Sequence, residues 1–269
     1  MRYTRNVLET TSIRAESCEI GDVPKLLYAL AAMLLLSGGH VPTHRTSSAQ
    51  EIAPVAPMGS VALPTTTRCT DPAGTWMGMR WQTPYAWRVD AASIPAYLGP
   101  SASVIAALNA AADNVMDAHN DCGLVSDLTM REGYVGTTPT AAGVTTDGGC
   151  GNQDRQNTVS FGALRPGLLA VTCVWWVGDT GKGRSVEADI LIDNSPGLFY
   201  LGNTPAGCDG HWDLQGTITH EFGHVFGLGH VDYATHRELT MSNGLPDCTS
   251  GYRGLGLGDY LALAREYAP

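Results

Sequence analysis

The stretch His220-Glu221-Phe222-Gly223-His224-Val225-Phe226-Gly227-Leu228-Gly229-His230 is the most informative in the chain. His220 and His224 are four residues apart, so on a helix they stack on one face. Two imidazoles placed this way can share one Zn²⁺. Glu221 sits about 100° round the helix from His220 and misses the metal's inner shell. It can lie beside the water held there, where a general base belongs. The helix has moved away by His230, so a turn must bring that third imidazole back. Gly227 can take the positive φ that ends a helix and reverses the chain. Three protein ligands leave the fourth position for water, which is the catalytic and not the structural pattern.

Working outward, Thr240-Met241-Ser242-Asn243-Gly244 follows His230 and puts a methionine just before turn-forming residues. Upstream, Leu214–Phe226 is expected to be helical, with Asp213 as its N-cap. Ser101–His119 carries apolar residues at Val104, Ile105, Leu108, Ala111, Ala112, Val115 and Met116, an amphipathic helix spacing with Ser101 or Ser103 as cap. A last helix is expected near Asp259–Tyr267. Tyr85–Asp90 alternates like a strand, and strand-like runs follow at Ser126–Tyr134, Asn157–Phe161, Leu168–Val177 and Val186–Asp193. Strands interleaved with about three helices point to an α/β or α+β domain around one twisted sheet.

The chain has 269 residues, formal charge −10 and a pI near 5.1. At 43% hydrophobic it can bury a core, and its acidic balance argues against a nucleic-acid partner. No apolar run reaches the roughly 20 residues of a membrane span. Lys25 precedes an uncharged run, Leu26 to Leu36, of signal-peptide length, and Ser47 and Ala49 fit positions −3 and −1 of a cut before Gln50. The competing reading of that run is a buried helix of the mature domain. The expected organisation is a signal peptide with a long n-region at 1–49, a Pro-rich linker or short propeptide at 50–75 and one domain at 76–269. Secretion into the extracellular space follows. Loss of Cys18 leaves Cys69, Cys122, Cys150, Cys173, Cys208 and Cys248, an even set that reads as up to three disulfides.

The pattern H-E-x-x-H-x-x-G-x-x-H, ending on His230, resembles the signature of the metzincin zinc endopeptidases, and H-E-F-G-H-V-F-G-L-G-H is closest to the matrixin type. Glu187-Ala-Asp-Ile190, Trp212-Asp-Leu-Gln215 and Leu255-Gly-Leu-Gly-Asp-Tyr260 are similar to bacterial matrixin-like proteases. The resemblance implies a twisted mixed five-stranded sheet with about three helices and a zinc cleft between upper and lower subdomains. It implies His220, His224 and His230 as metal ligands, Glu221 as general base and Met241 as the methionine of a structural Met-turn. It also implies a protein or peptide substrate lying extended along a sheet edge, for which Leu168–Val177 is the candidate. A monomer is expected. The chain departs from the matrixin pattern after the turn, where Ser242-Asn243-Gly244-Leu245 stands in place of Pro and Tyr. His119, His211 and His236 are too few for a second, structural zinc.

Other residues carry plainer expectations. Asp179, Asp189 and Asp193 are candidate Ca²⁺ ligands, with ordinary turn and strand-end roles as the alternative. Trp175 and Trp176 should place one ring in the core and one at the surface. Arg68-Cys69-Thr70-Asp71-Pro72 faintly resembles the matrixin cysteine switch, against which stands a disulfide role for Cys69. The competing class of function is a secreted binding or adhesion module with a structural zinc. Glu221 and an open fourth position argue against it.

Overall fold

The computed structural model describes residues 48–51, 56–58, 67–179 and 181–269. The expected signal peptide lies outside the described residues, apart from Ser48 and Ala49.

In chain order the strands are β1 (Ser48–Glu51), β2 (Ala56–Met58), β3 (Thr75–Trp76), β4 (Met79–Arg80), β5 (Tyr85–Val89), β6 (Glu132–Thr137), β7 (Thr158–Gly162), β8 (Ala170–Val177), β9 (Gly183–Asp193), β10 (Phe199–Tyr200), β11 (Trp212–Asp213), β12 (Leu228–Gly229) and β13 (Gly244–Pro246). The α-helices are α1 (Ser101–Met116), α2 (Leu214–Val225), α3 (Tyr233–His236) and α4 (Leu257–Tyr267). The main sheet runs β1-β8-β9-β7-β5-β6, and β4 adds to β9. β5, β6, β7 and β9 pair in parallel, while β8 runs antiparallel to β9. These five longer strands are the ones the sequence suggested. The sheet grows to seven by adding β1 and the two-residue β4. No helix among the described residues is long and apolar enough to cross a membrane.

The helices form where the apolar spacing demands. In α1, Val104, Leu108, Ala111, Ala112 and Val115 are buried along one stripe. Pro100 occupies its N-cap without a side-chain bond, and Ser101 is already helical. The expected serine cap is therefore displaced by one residue. Proline's fixed φ suits a helix start, and its missing N–H costs nothing there. In β5, Tyr85, Trp87 and Val89 are fully buried, while Ala86 is exposed and Arg88 partly exposed. Tyr85 and Trp87 pack edge-on against Phe222 of α2, at 6.4 and 5.2 Å between ring centroids. This fixes α2 across the sheet.

Two expectations need correction. The strand expected at Ser126–Tyr134 begins only at Glu132. Residues before it are held by the C-terminal helix, since Thr129 N–H and Oγ1 both donate to Tyr267 O. Trp175 and Trp176 are both buried, at 3% and 8% exposure. β1 covers this edge, pairing Ala49 with Trp175 and Ser48 with Trp176, and the far face carries a second small core of Ala142, Leu164, Leu168, Val171 and Leu191.

All six later cysteines are bonded, as Cys69–Cys122, Cys150–Cys173 and Cys208–Cys248. Cys69 thus ties the entry segment to the end of α1, and its sulfur is not available to a metal.

Candidate metal centre

α2 starts where it was expected to. The Asp213 carboxylate accepts from Gly216 N–H at 2.9 Å, and Arg253 clamps the same carboxylate at 2.7 and 2.6 Å. The helix is buried nearly throughout, so its polar side chains must all find partners. His220 and His224 lie one turn apart with ring centroids 4.7 Å apart.

The helix ends at Phe226, and Gly227 follows with φ +95°. A Cβ at Gly227 would meet Met79 O and the Trp76 ring, each 2.5 Å away. Glycine is thus required twice, by conformation and by space. β12 then pairs antiparallel with β3, and the chain delivers His230. The His230 Nε2 stands 2.9 Å from Nε2 of His220 and 3.0 Å from Nε2 of His224.

The far side of two rings is fixed by backbone. His220 Nδ1 lies 2.6 Å from Thr240 O, and His224 Nδ1 lies 2.7 Å from Leu228 O. A carbonyl only accepts, so each Nδ1 carries the proton and each Nε2 presents a lone pair. Burial pushes the His220 pKa down to about 4. Burial, followed by the neighbouring imidazoles, holds His224 and His230 well below the ordinary range. Neutral rings with converging lone pairs repel one another unless a cation lies between them. This donor set fits a borderline-soft dication such as Zn²⁺. Among the described residues, His220, His224 and His230 form the one cluster able to hold a metal. His220 and His224 are buried and His230 is partly exposed, which leaves that side as the way in.

Glu221 reaches β8. Its Oε2 accepts from Thr172 Oγ1 at 2.5 Å, while the buried Oε1 has no hydrogen-bond partner. Burial pushes its pKa up to about 8, partly offset by the Thr172 hydroxyl. In the bare pocket this favours the neutral carboxyl; a dication among the three imidazoles would favour the carboxylate, whose free Oε1 could then accept a proton.

Met241 lies beneath α2. It is buried, and a Cβ on Gly223 would run into its sulfur. Asp259, in the first turn of α4, fixes this loop. Its carboxylate accepts from Thr240 N–H at 2.8 Å, Gly256 N–H at 2.9 Å and Met241 N–H at 3.3 Å. The same Thr240 supplies the carbonyl that orients His220, so α4, the methionine turn and the metal cluster form one connected unit.

The structure does not bring the other singled-out residues here. Asp189 accepts from Gly143 N–H at 2.6 Å and Thr158 N–H at 2.7 Å. Asp193 accepts from Ser195 N–H at 2.6 Å and Leu164 N–H at 3.3 Å. Both carboxylates thus hold loop backbone, the structural role foreseen as the alternative to calcium. His236 pairs with Asp71 at 2.8 Å, His211 Nδ1 meets Gly197 O at 2.5 Å, and the His119 backbone carbonyl accepts from Leu255 N–H. Sequence reasoning missed Thr172, Gly223 and Asp259. Gly223 did carry a signal, since a mid-helix glycine costs stability unless something needs the room. Thr172 and Asp259 depend on strand register and on a loop closing over α4, which no local pattern encodes.

No protein-family model, curated protein or solved structure matches the chain.

Proposed function

We propose that the protein is a secreted zinc-dependent endopeptidase of the metzincin, matrixin-like type. The observation that carries this reading is the convergence of three imidazole Nε2 atoms beside a buried Glu221 whose Oε1 is unpartnered. A purely structural zinc site would gain nothing from such a carboxylate, because burying it without a partner costs free energy. The three disulfides fit an oxidising compartment.

His220, His224 and His230 would hold the ion. When bound, zinc supplies Lewis acidity, polarising a carbonyl and making a water more acidic. The chain's own residues do the rest. Thr172 fixes Glu221 Oε2, so that Oε1 takes the proton as a water oxygen adds to the scissile carbonyl carbon. Glu221 then passes that proton to the amide nitrogen as the C–N bond breaks, leaving a carboxylate and an amine. The backbone anchors at Thr240 O and Leu228 O keep both helix histidines in one tautomer throughout. The edge expected at Leu168–Val177 is paired with β1 in this structure, so an extended peptide would pair along β8 only in exchange for β1, through main-chain hydrogen bonds that make no side-chain demands.

The test is metal analysis joined to a digest. One zinc per folded chain, with hydrolysis of casein abolished by chelator and restored by zinc, supports the reading. Zinc present in folded protein that cuts no peptide library would move the reading to a zinc-containing binding module.

A further inference from the structure

The turn from β4 to β5, the residues just before β6 and the end of α4 enclose an open cavity of about 340 Å³. That is the small end of the range for sites that take small molecules. Arg80 and Arg131 both line it. Arg80 Nη1 donates to Glu266 O at 2.7 Å, and Arg131 Nη1 donates to Leu128 O at 3.0 Å and Met130 O at 2.6 Å. These carbonyls hold each guanidinium by one corner. Among the described residues, Nε and Nη2 of both arginines have no acceptor, and neither arginine forms an ion pair with an acid. Arg80 also stands in register with Arg184 across β4 and β9. Like charges facing one another on adjacent strands repel. Acids outnumber bases in this chain, 26 to 16, so the lack of a carboxylate partner here is not a matter of supply.

The floor of the cavity is apolar with one polar handle. Trp81, Met130 and Tyr267 are buried. The Tyr267 hydroxyl accepts from Trp81 N–H at 3.0 Å, and burial pushes its pKa up, so it keeps its own proton. That proton has no acceptor among the described residues. Planar guanidinium forks match the two oxygens of a carboxylate, and the buried rings suit a flat apolar body attached to it.

The same floor backs the metal centre. Trp81 Nε1 donates to Val225 O at 2.8 Å, in the last turn of α2. Tyr267 packs edge-on against Trp76 and Phe226, with ring centroids 5.8 and 6.3 Å apart. Trp76 is the ring that a Cβ on Gly227 would meet. The cavity thus stands behind the turn that returns His230.

We propose that this cavity is a binding site for a small organic carboxylate, whose oxygens meet Arg80 and Arg131 and whose apolar body lies against Trp81 and Met130. The site is separate from the histidine cluster and does not rest on the endopeptidase reading.

Benzoate is the probe, titrated at low salt into the zinc-loaded full chain carrying Glu221→Gln, which guards against self-cleavage. Binding is read by NMR at the Trp81 indole N–H and at the Nε–H groups of Arg80 and Arg131. A saturable shift at these groups is expected, with Kd of ~1 mM or tighter for a ligand of this size. Benzamide has the shape without the charge, and inorganic phosphate has charge without the apolar body. Each should bind at least ~10-fold more weakly. Arg80→Gln and Arg131→Gln should each weaken benzoate by roughly tenfold or more, since each removes a charged donor. Both side chains are exposed, so the fold should survive, and the unchanged remainder of the spectrum checks it. Arg131→Lys keeps the charge but loses the fork, and should bind more weakly than wild type and more tightly than Arg131→Gln. The proposal is overturned by no saturable shift at Trp81, by shifts confined to the histidine cluster, or by benzamide binding as well as benzoate. Phosphate binding as tightly as benzoate overturns the carboxylate assignment. Unchanged affinity in a folded Arg80→Gln, Arg131→Gln double variant overturns the site.

Discussion

Thr172 on β8 donates its hydroxyl to Oε2 of Glu221 on α2 at 2.5 Å, joining the sheet to the carboxyl beside the histidine cluster. The pair spans 49 residues of sequence and is buried on both sides. It leaves Glu221 Oε1 as the free oxygen.

Thr172→Val keeps the shape and removes the donor. Zinc content should be unchanged, because no ligand is touched. A hydrogen bond to a charged group is worth about 1.5–3 kcal/mol, so kcat should fall roughly ten- to a hundredfold with KM little moved. Thr172→Ser should restore most of the rate. Equal loss in Ser and Val variants would show that the methyl group, and not the hydroxyl, matters.

Gly223→Ala should destabilise the fold, against the usual gain of up to about 1 kcal/mol for Gly→Ala within a helix. The new Cβ runs into the Met241 sulfur. We expect a loss of about 1–3 kcal/mol in denaturant unfolding. Adding Met241→Ala should recover part of it, and a double-mutant cycle with no coupling would contradict the contact.

Asp189 gives a pH signature. Burial raises its pKa from 3.8 to about 7, despite two backbone donors that favour the charge. A carboxyl raised on folding stabilises the fold fully below its unfolded pKa and loses that contribution as pH climbs through about 7. Wild type should therefore lose about 1–3 kcal/mol relative to Asp189→Asn between pH 4 and pH 8. Urea unfolding of both proteins across that range reads it directly. A constant difference would contradict the assignment.

Cys69→Ser with Cys122→Ser opens a loop of 53 residues. The chain-entropy account gives a loss of up to about 4 kcal/mol. Peptide hydrolysis per folded molecule should not rise. A rise would revive Cys69 as a latency thiol.

Much of the site was legible because its logic is local. Spacing of four residues on a helix, a glycine that must turn and an aspartate that must cap are all properties of neighbours in sequence. Helix α2, the return of His230 and the cap at Asp213 follow from them. What stayed hidden is set by distant pairing. Thr172 faces Glu221 only because β8 lies antiparallel to β9 in one register. Residues 126–131 look strand-like, yet Thr129 N–H and Oγ1 both go to Tyr267 O. Trp175 and Trp176 sit on opposite faces, as alternation requires, but both faces are covered. The partner choice among six cysteines has no local signal at all.

The central claim is that the histidine cluster and Glu221 together hydrolyse peptide bonds. The most direct measurement is cleavage of one extended peptide by zinc-loaded wild type and Glu221→Gln, with zinc counted in both. The account predicts one zinc in each and a rate lower by ~10²–10⁴ in the glutamine variant. Full zinc with undiminished cleavage in Glu221→Gln would contradict it.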